Sequence, residues 1–335
     1  MVDVHAIPST HSEPKSVVVQ KVIIDADPGI GDALAVVFAL LDPEIDLIGL
    51  TATGGVVSGQ QATRNLQSLV ELVDPPKRPR MGGSEDAQEL AEVSFRSQTI
   101  PIYELHGPNG LGNVTPQCID MVHRRESARV LSEIIRDNPH DVTLLTLGPM
   151  TNFARACERT PDLPGLLGGL VCCGGTVEQG GNVTATSEFN VYANPEAARL
   201  TLRSPATKRL VPLDVSGRPM LTFDELARMS GKNGVVQHLM EMIQFKLRMN
   251  HQHFGYEGIH IHEFTALATL ARPELFESRE MLVDVETSGE LTRGMTVFDR
   301  RGVDQWHSNI DVYYHVNERG VVDYFHELID RASRI

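Results

Sequence analysis

The chain has 335 residues, of which 41% are hydrophobic and 22% charged, the composition of an ordinary globular protein. Its 44 Asp and Glu against 30 Lys and Arg give a formal net charge of −14, which disfavours a general role in binding nucleic acid. No apolar run approaches the roughly 20 residues that span a bilayer, so no membrane segment is expected.

The N-terminal residues predict neither a signal peptide nor an ordered element. They lack a basic stretch followed by an apolar one, so secretion is not expected. Residues 1–16 predict a flexible tail ahead of a single domain over residues 17–335. The cysteines are few and two of them are adjacent, which favours neither a disulfide framework nor a zinc motif. We therefore expect a cytoplasmic protein.

Apolar runs alternate with helical stretches along the chain, which is typical of an α/β fold. The first βαβ unit is predicted from a strand at 17–24, a helix at 32–41 and a strand at 46–53. Later strands are expected at 141–147, 166–173, 208–214, 281–287, 295–299 and 310–316. Later helices are expected at 153–159, 194–203, 235–250, 264–270 and the C-terminus. We predict a mostly parallel central sheet flanked by helices, with added C-terminal strands and helices.

Three carboxylates follow the first strand in the stretch DADPGIGD: Asp25, Asp27 and Asp32. Ligands of open α/β sheets bind beyond the carboxyl ends of the strands. Carboxylates this close repel one another unless a cation compensates, and oxygen ligands without thiolates favour Ca²⁺ or Mg²⁺. The spacing alone leaves a simpler alternative, in which Asp32 caps the following helix and the other two are solvated.

Two other acidic motifs fit this stretch poorly. An EF-hand loop would need Gly and Glu where Ile30 and Val36 stand, and it would lie between two helices. A phosphatase of the haloacid dehalogenase type would need Thr or Val where Gly29 stands. Zinc is also disfavoured, because the histidines of the segment NHQHFGYEGIHIHEF lack the His-Glu-x-x-His spacing.

Later strand ends carry further polar residues. The turn LTLGPMTN leaves backbone carbonyls free to face a ligand. The segment GGNVTATSEFN places Asn182, Glu188 and Asn190 together, and two amides and a carboxylate suit recognition of hydroxyl groups, although an ordinary surface loop would have the same composition. His106 lies in the glycine-rich stretch HGPNGLGN, where a lone histidine is more often structural.

Several motifs occur in a fixed order along the chain: DADPGIGDALA, HGPNGLG, LGPMTN, GGNVTATSEFNVYANPEAA, IHIHE and TRGMTVFDRRG. In this order they resemble the inosine-uridine-preferring nucleoside hydrolases, from about Val19 to the C-terminal helix. The resemblance implies one catalytic α/β domain that hydrolyses an N-glycosidic bond and releases a base and a free sugar. It also implies a tightly held Ca²⁺, a role in nucleoside catabolism or salvage, and a homodimer or homotetramer.

The resemblance further implies a role for each site residue. Asp27 resembles the general base that activates a Ca²⁺-bound water, and His262 the acid for the leaving base. The metal ligands would be Asp27, Asp32, Glu263 and the backbone carbonyl of Leu147, with Asp25 as a supporting carboxylate. The substrate-binding residues would be Asn182, Glu188 and Asn190 at the ribose and His106 at the base. An acidic site suits this chemistry because positive charge develops on the sugar.

Four positions depart from the family pattern. Gly31 and Gly55 stand where the family usually has Asp and Asn, Glu263 replaces a metal-binding Asp, and Gly217 replaces a His. Small residues near the sugar leave room, so we expect a modified sugar or a more deeply placed substrate. Two alternatives stay open: a metal-bound nucleoside- or sugar-binding protein with little turnover, and a phosphatase.

Overall fold

The computed structural model describes residues 19–88, 90, 92–95, 98–117, 125–229, 234–301 and 308–334. The predicted flexible tail at 1–16 and Cys118 lie outside these ranges. The other cysteines, Cys157, Cys172 and Cys173, are buried free thiols. None of the helices in the described ranges has the length and apolar character needed to cross a membrane.

The strands of the described residues are β1 (Gln20–Ala26), β2 (Ile45–Ala52), β3 (Arg80–Gly82), β4 (Glu92–Phe95), β5 (Gln98–Pro101), β6 (Val142–Thr146), β7 (Gly169–Cys173), β8 (Lys208–Val211), β9 (Met220–Thr222), β10 (Gly258–His260), β11 (Phe276–Met281), β12 (Val283–Val285), β13 (Thr296–Phe298) and β14 (Ile310–Val316). The helices are α1 (Ile30–Leu41), α2 (Gly59–Val73), α3 (Ile102–His106), α4 (Ser127–Asp137), α5 (Thr151–Arg159), α6 (Leu163–Leu166), α7 (Phe189–Ala193), α8 (Pro195–Arg203), α9 (Leu213–Ser216), α10 (Phe223–Arg228), α11 (Gly234–Phe254), α12 (His262–Ala271) and α13 (Glu318–Ala332).

The central sheet has eight strands within the described residues, in the order β11-β14-β8-β7-β6-β1-β2-β3. All neighbouring pairs are parallel except β11 and β14, which are antiparallel at one edge. The predicted mostly parallel sheet with added C-terminal elements is therefore confirmed. β14 joins the parallel part, while β12 and β13 form a separate hairpin.

The chain changes direction across the sheet at β1. It proceeds to β2 and β3 on one side, and then continues from β6 to β7 and β8 on the other. Such a reversal opens a crevice at the carboxyl ends of the two strands that flank it, here β1 and β6. The predicted site residues that follow these strands therefore meet at one edge of the sheet.

Helices α1, α12 and α13 share one apolar cluster on a face of the sheet. The rings of Phe38, Phe264 and Phe325 pack edge to face, with centroids 4.8 to 5.4 Å apart. Each ring is at most 1% exposed. This packing sets the distance between the first turns of α1 and α12, which carry two of the predicted site residues.

Several predicted strand boundaries were wrong. The strand predicted at 166–173 begins at Gly169, because Leu166 still belongs to α6. The strand predicted at 208–214 ends at Val211, because Pro212 begins a short helix, α9. The strand predicted at 281–287 is divided at Leu282 between β11 and β12, where the side chain of Asn309 replaces a neighbouring strand by accepting a hydrogen bond from Val283 N at 3.0 Å.

Candidate active site

Four acidic side chains meet beyond the carboxyl ends of β1 and β6. Asp25 lies in β1, Asp27 just after it, Asp32 in the first turn of α1 and Glu263 in the first turn of α12. Burial, together with the nearby charges of Glu263 and Asp25, raises the pKa of Asp27 to about 8 against the opposing hydrogen bond from Val56 N. The pKa of Asp32 is raised by burial, Asp27 and Glu263. The fold therefore concentrates acidic groups at the predicted position.

The carboxylates are not arranged as a closed metal centre. Over the described ranges, no group of three or more His, Cys, Asp or Glu side chains could hold a metal ion as it stands. Asp27 Oδ2 accepts a hydrogen bond from Val56 N at 2.6 Å. Asp32 Oδ1 and Glu263 Oε2, by contrast, are buried and have no hydrogen-bond partner. This donor set consists of oxygens and includes two unsatisfied ones, so its chemistry fits a hard cation.

The carboxylate of Asp27 lies between two glycines. A Cβ atom at Gly55 would overlap Asp27 Oδ2, and a Cβ atom at Gly148 would overlap Oδ1. Any side chain at either position would force the carboxylate to move. The Asp27 carboxylate can therefore occupy its present position only because residue 55 has no side chain.

Asp25 supports the strand ends from inside the sheet. It is fully buried, and its Oδ1 accepts hydrogen bonds from Thr51 Oγ1 at 2.6 Å and Asn152 Nδ2 at 2.8 Å. Asn152 also donates to Ala52 O at 2.8 Å, so the pair joins β1, β2 and α5. Burial raises the pKa of Asp25 to about 7, even though these two hydrogen bonds act in the opposite direction.

Asn190 connects the neighbouring ends of β6 and β7. Its Nδ2 donates to Leu147 O at 2.6 Å and to Cys173 O at 3.0 Å. The Leu147 carbonyl, predicted to face a metal, is therefore held in place by this amide. A carbonyl oxygen has two lone pairs, so the contact leaves it able to accept a second partner.

Glu188 and Asn182 engage backbone groups of their own segment. Glu188 is 5% exposed, and its carboxylate accepts hydrogen bonds from the backbone nitrogens of Gly175, Asn190 and Val191 at 2.8 to 3.2 Å. Burial raises its pKa to about 7. Asn182 is exposed, and its Oδ1 accepts from Phe189 N at 2.9 Å. The sugar-binding role of these two residues stays a prediction.

The two predicted histidines contact different elements around the acidic group. His106 Nδ1 accepts a hydrogen bond from Ile30 N at 3.2 Å, so this ring caps α1. His262 Nδ1 lies 3.2 Å from Ser216 Oγ. Burial lowers the pKa of His262 to about 4, although Glu263 beside it acts in the opposite direction. Both rings are neutral near pH 7, since burial also lowers the pKa of His106 well below its ordinary value.

The remaining histidines of the predicted cluster extend outward from His262. The His260 ring lies 5.8 Å from the His262 ring and 5.4 Å from the Tyr256 ring. His251 and His253 belong to the last turn of α11, and His253 lies 3.4 Å from Glu104. His260 therefore links the rings of Tyr256 and His262.

Sequence reasoning missed several residues that hold the site. Asn65 in α2 donates to Pro28 O at 3.0 Å and to Asn109 O at 2.7 Å, which joins the loop after β1 to the loop after α3. Asp214 in α9 accepts hydrogen bonds from three consecutive backbone nitrogens at 177–179. Asn65 could have been noticed in the sequence, because it is an amide on the apolar face of α2. Asp214 gave no such signal, because its hydrogen-bond partners are distant in sequence.

Comparison with known proteins agrees with the fold. The family model of the inosine-uridine preferring nucleoside hydrolases matches residues 22–323. Uridine nucleosidase 1 of Arabidopsis thaliana is 32% identical over 317 residues, which cover 91% of each chain. The pyrimidine-specific ribonucleoside hydrolase RihA of Escherichia coli K12 is 30% identical over 90% of this chain and 96% of its own.

A solved structure shows the same likeness in three dimensions. The purine-preferring ribonucleoside hydrolase from Gardnerella vaginalis superimposes with a TM-score of 0.81 and 27% identity, over 94% of this chain and 100% of the other. The chain belongs to the inosine-uridine-preferring nucleoside hydrolase family. Its relatives are enzymes that hydrolyse the N-glycosidic bond of nucleosides, and the family is generally metal-dependent.

Proposed function

We propose that this protein hydrolyses the N-glycosidic bond of a nucleoside or related N-glycoside with the help of bound Ca²⁺ and of Asp27 as general base. The observation that carries the proposal is the acidic group beyond β1 and β6. Burial and mutual repulsion raise the pKa values of Asp27 and Asp32, and Asp32 and Glu263 each have a buried carboxylate oxygen without a partner. A divalent cation would offset the repulsion between the carboxylates and would also supply a partner for the unpaired oxygens.

The residues that would hold the cation are Asp27, Asp32, Glu263 and the carbonyl of Leu147. When bound, Ca²⁺ would lower the pKa of a water and favour the charged forms of the carboxylates. Asp27 takes a proton from the attacking water at one carboxylate oxygen. The buried carboxylates stabilise the positive charge that develops on the sugar.

His262 is the proposed proton donor to the leaving base. Its pKa of about 4 means that little of it is protonated near pH 7, so this route strengthens as the pH falls. The role of Asp27 as a base gives the rate the opposite pH dependence. Asp27 must be deprotonated to accept a proton, so its contribution grows as the pH rises. A rate that passes through a maximum with pH is therefore expected.

The relatives include uridine-, pyrimidine- and purine-directed hydrolases. Gly31 and Gly55 lie next to the acidic group and have no side chains that could contact a substrate there. We propose that the sugar is the part of the substrate in which this protein departs from its relatives.

Replacement of Asp27 by Asn tests the proposal directly. The variant keeps the shape of the side chain and loses the base, so kcat should fall by about 10²- to 10⁴-fold. Released base is measured by chromatography over ribo-, deoxyribo- and arabino-nucleosides. Asp330→Asn, on the exposed face of α13, is the matched control and should keep wild-type turnover.

Binding distinguishes the enzyme from a binding protein with little turnover. Calorimetry with the same nucleosides should show similar affinity for wild type and Asp27→Asn. If both proteins bind alike and neither releases base from any substrate, the hydrolase proposal is wrong and the binding protein is favoured. Phosphate release from phosphoesters would instead support a phosphatase.

A further inference from the structure

Glycine at position 31 leaves a space that the carboxylate of Glu263 fills. A Cβ atom at Gly31 would overlap Glu263 Oε2 and Cδ and would lie 2.8 Å from Oε1. The conflict therefore involves the whole carboxylate group. Even alanine at position 31 would exclude the present position of Glu263.

The surroundings limit how Glu263 could avoid such a conflict. Gly31 lies in the buried first turn of α1, and Glu263 in the first turn of α12. The two helices are held together by Phe38 and Phe264, whose ring centroids are 5.4 Å apart. Because this contact packs the two helices together, the glutamate side chain is the group that would have to move most.

The filled space lies beside the first turn of α1, where Asp32 accepts a hydrogen bond from Gly29 N at Oδ2, 3.2 Å away, and has no partner at Oδ1. The Glu263 carboxylate lies against Gly31, the residue next to Asp32, and both Asp32 Oδ1 and Glu263 Oε2 are buried oxygens without a partner. Glu263 can reach this position because it has one more methylene than aspartate and because residue 31 has no side chain. The two departures from the family pattern are thus in direct contact.

We propose that Gly31 and Glu263 form a matched pair, in which the missing side chain at 31 lets the Glu263 carboxylate lie against α1 and share a cation with Asp32. A side chain at 31 displaces this carboxylate and with it the cation. The inference rests on the proposed function, since it requires the cation site, and it assigns Gly31 as a positioning residue for that site.

Gly31→Ala tests the first half of the pair. Calorimetric titration of the metal-free full-length protein with CaCl₂ should show an affinity reduced by about 10- to 100-fold, as for other residues that orient a metal ligand. The matched control is Gly165→Ala, since a Cβ atom there has no neighbour within 4 Å. The control should keep the wild-type affinity.

A double-mutant cycle tests the pairing itself. Glu263→Asp should weaken Ca²⁺ binding because the shorter side chain does not reach the space, and Gly31→Asp should weaken it by displacement. The double variant should recover affinity to within a few-fold of wild type, because a carboxylate from position 31 then occupies the space. Residues that act through one contact give such non-additive effects.

Thermal unfolding in EDTA provides a second readout that does not require the cation. Alanine is the better helix former, so Gly31→Ala would raise the Tm if the space were empty. We expect it to lower the Tm, and Gly31→Asp with Glu263→Asp to be more stable than Gly31→Asp alone. A raised Tm, or losses of affinity that simply add, would overturn the pair while leaving the cation site intact. Wild-type protein that binds no Ca²⁺ would contradict the proposed function as well.

Discussion

Asn190 joins two neighbouring strand ends through one side-chain amide. Its Nδ2 is the donor to Leu147 O and Cys173 O, and the residue is 7% exposed. Replacement by alanine removes one hydrogen-bond donor from each of two carbonyl oxygens. This should lower the free energy of unfolding by about 1–3 kcal/mol. Urea unfolding measures this loss. Ca²⁺ affinity should also fall, because Leu147 O is no longer held in place.

Asn182→Ala is the matched control, since Asn182 carries the same amide but is exposed and contacts only Phe189 N among the described partners of its side chain. A smaller loss of stability is expected, and a loss equal to that of Asn190→Ala would contradict the assigned role. The sequence predicts a sugar-binding role for both residues, but only Asn190 is buried and joins two strand ends.

At the scale of elements, the segment between β7 and α7 is held by the C-terminal hairpin. Thr296 Oγ1 donates to Thr176 O at 2.6 Å and accepts from Thr176 N at 3.0 Å. Ser187 Oγ donates to Arg293 O at 2.6 Å. The sequence predicted the strands of this hairpin only approximately and assigned it no role. Its contact with the segment that carries Glu188 arises because β14 brings the C-terminal part back into the parallel sheet.

Thr296→Val removes both hydrogen bonds and keeps the shape of the side chain. We expect faster hydrogen exchange at the backbone amides of 174–179 and a higher KM, with a stability loss of about 1–2 kcal/mol. Thr296→Ser keeps the hydroxyl group and should preserve the slow exchange. Equal exchange rates in the two variants would show that the hairpin does not order this segment.

At the scale of the whole molecule, the buried carboxylates make the stability of the metal-free protein depend on pH. Burial raises the folded-state pKa of Asp25 and Glu188 to about 7 and that of Asp27 to about 8. The unfolded chain has already released these protons above pH 5. The folded state therefore binds more protons, and its stability falls as the pH rises toward 8.

The carboxylates dominate the pH dependence of stability between pH 6.5 and 8. The buried histidines His106 and His262 have lowered pKa values in the folded state, so they affect stability mainly below about pH 6.5. We expect the Tm in EDTA to fall across this range and the increase in Tm caused by Ca²⁺ to be larger at pH 8. Asp27→Asn should flatten the dependence in EDTA. A metal-free Tm that rises from pH 6.5 to 8 would be the contrary result.

The sequence by itself determined the α/β class, the first βαβ unit and the meeting of Asp25, Asp27 and Asp32 at one edge. These follow from periodicity and from the rule that parallel strands end on the same side. Only the tertiary structure decided that Glu263 fills the space above Gly31 and that Glu188 faces backbone amides. Such contacts depend on side-chain directions and on the spacing of helices that are far apart along the chain, and no local pattern encodes either.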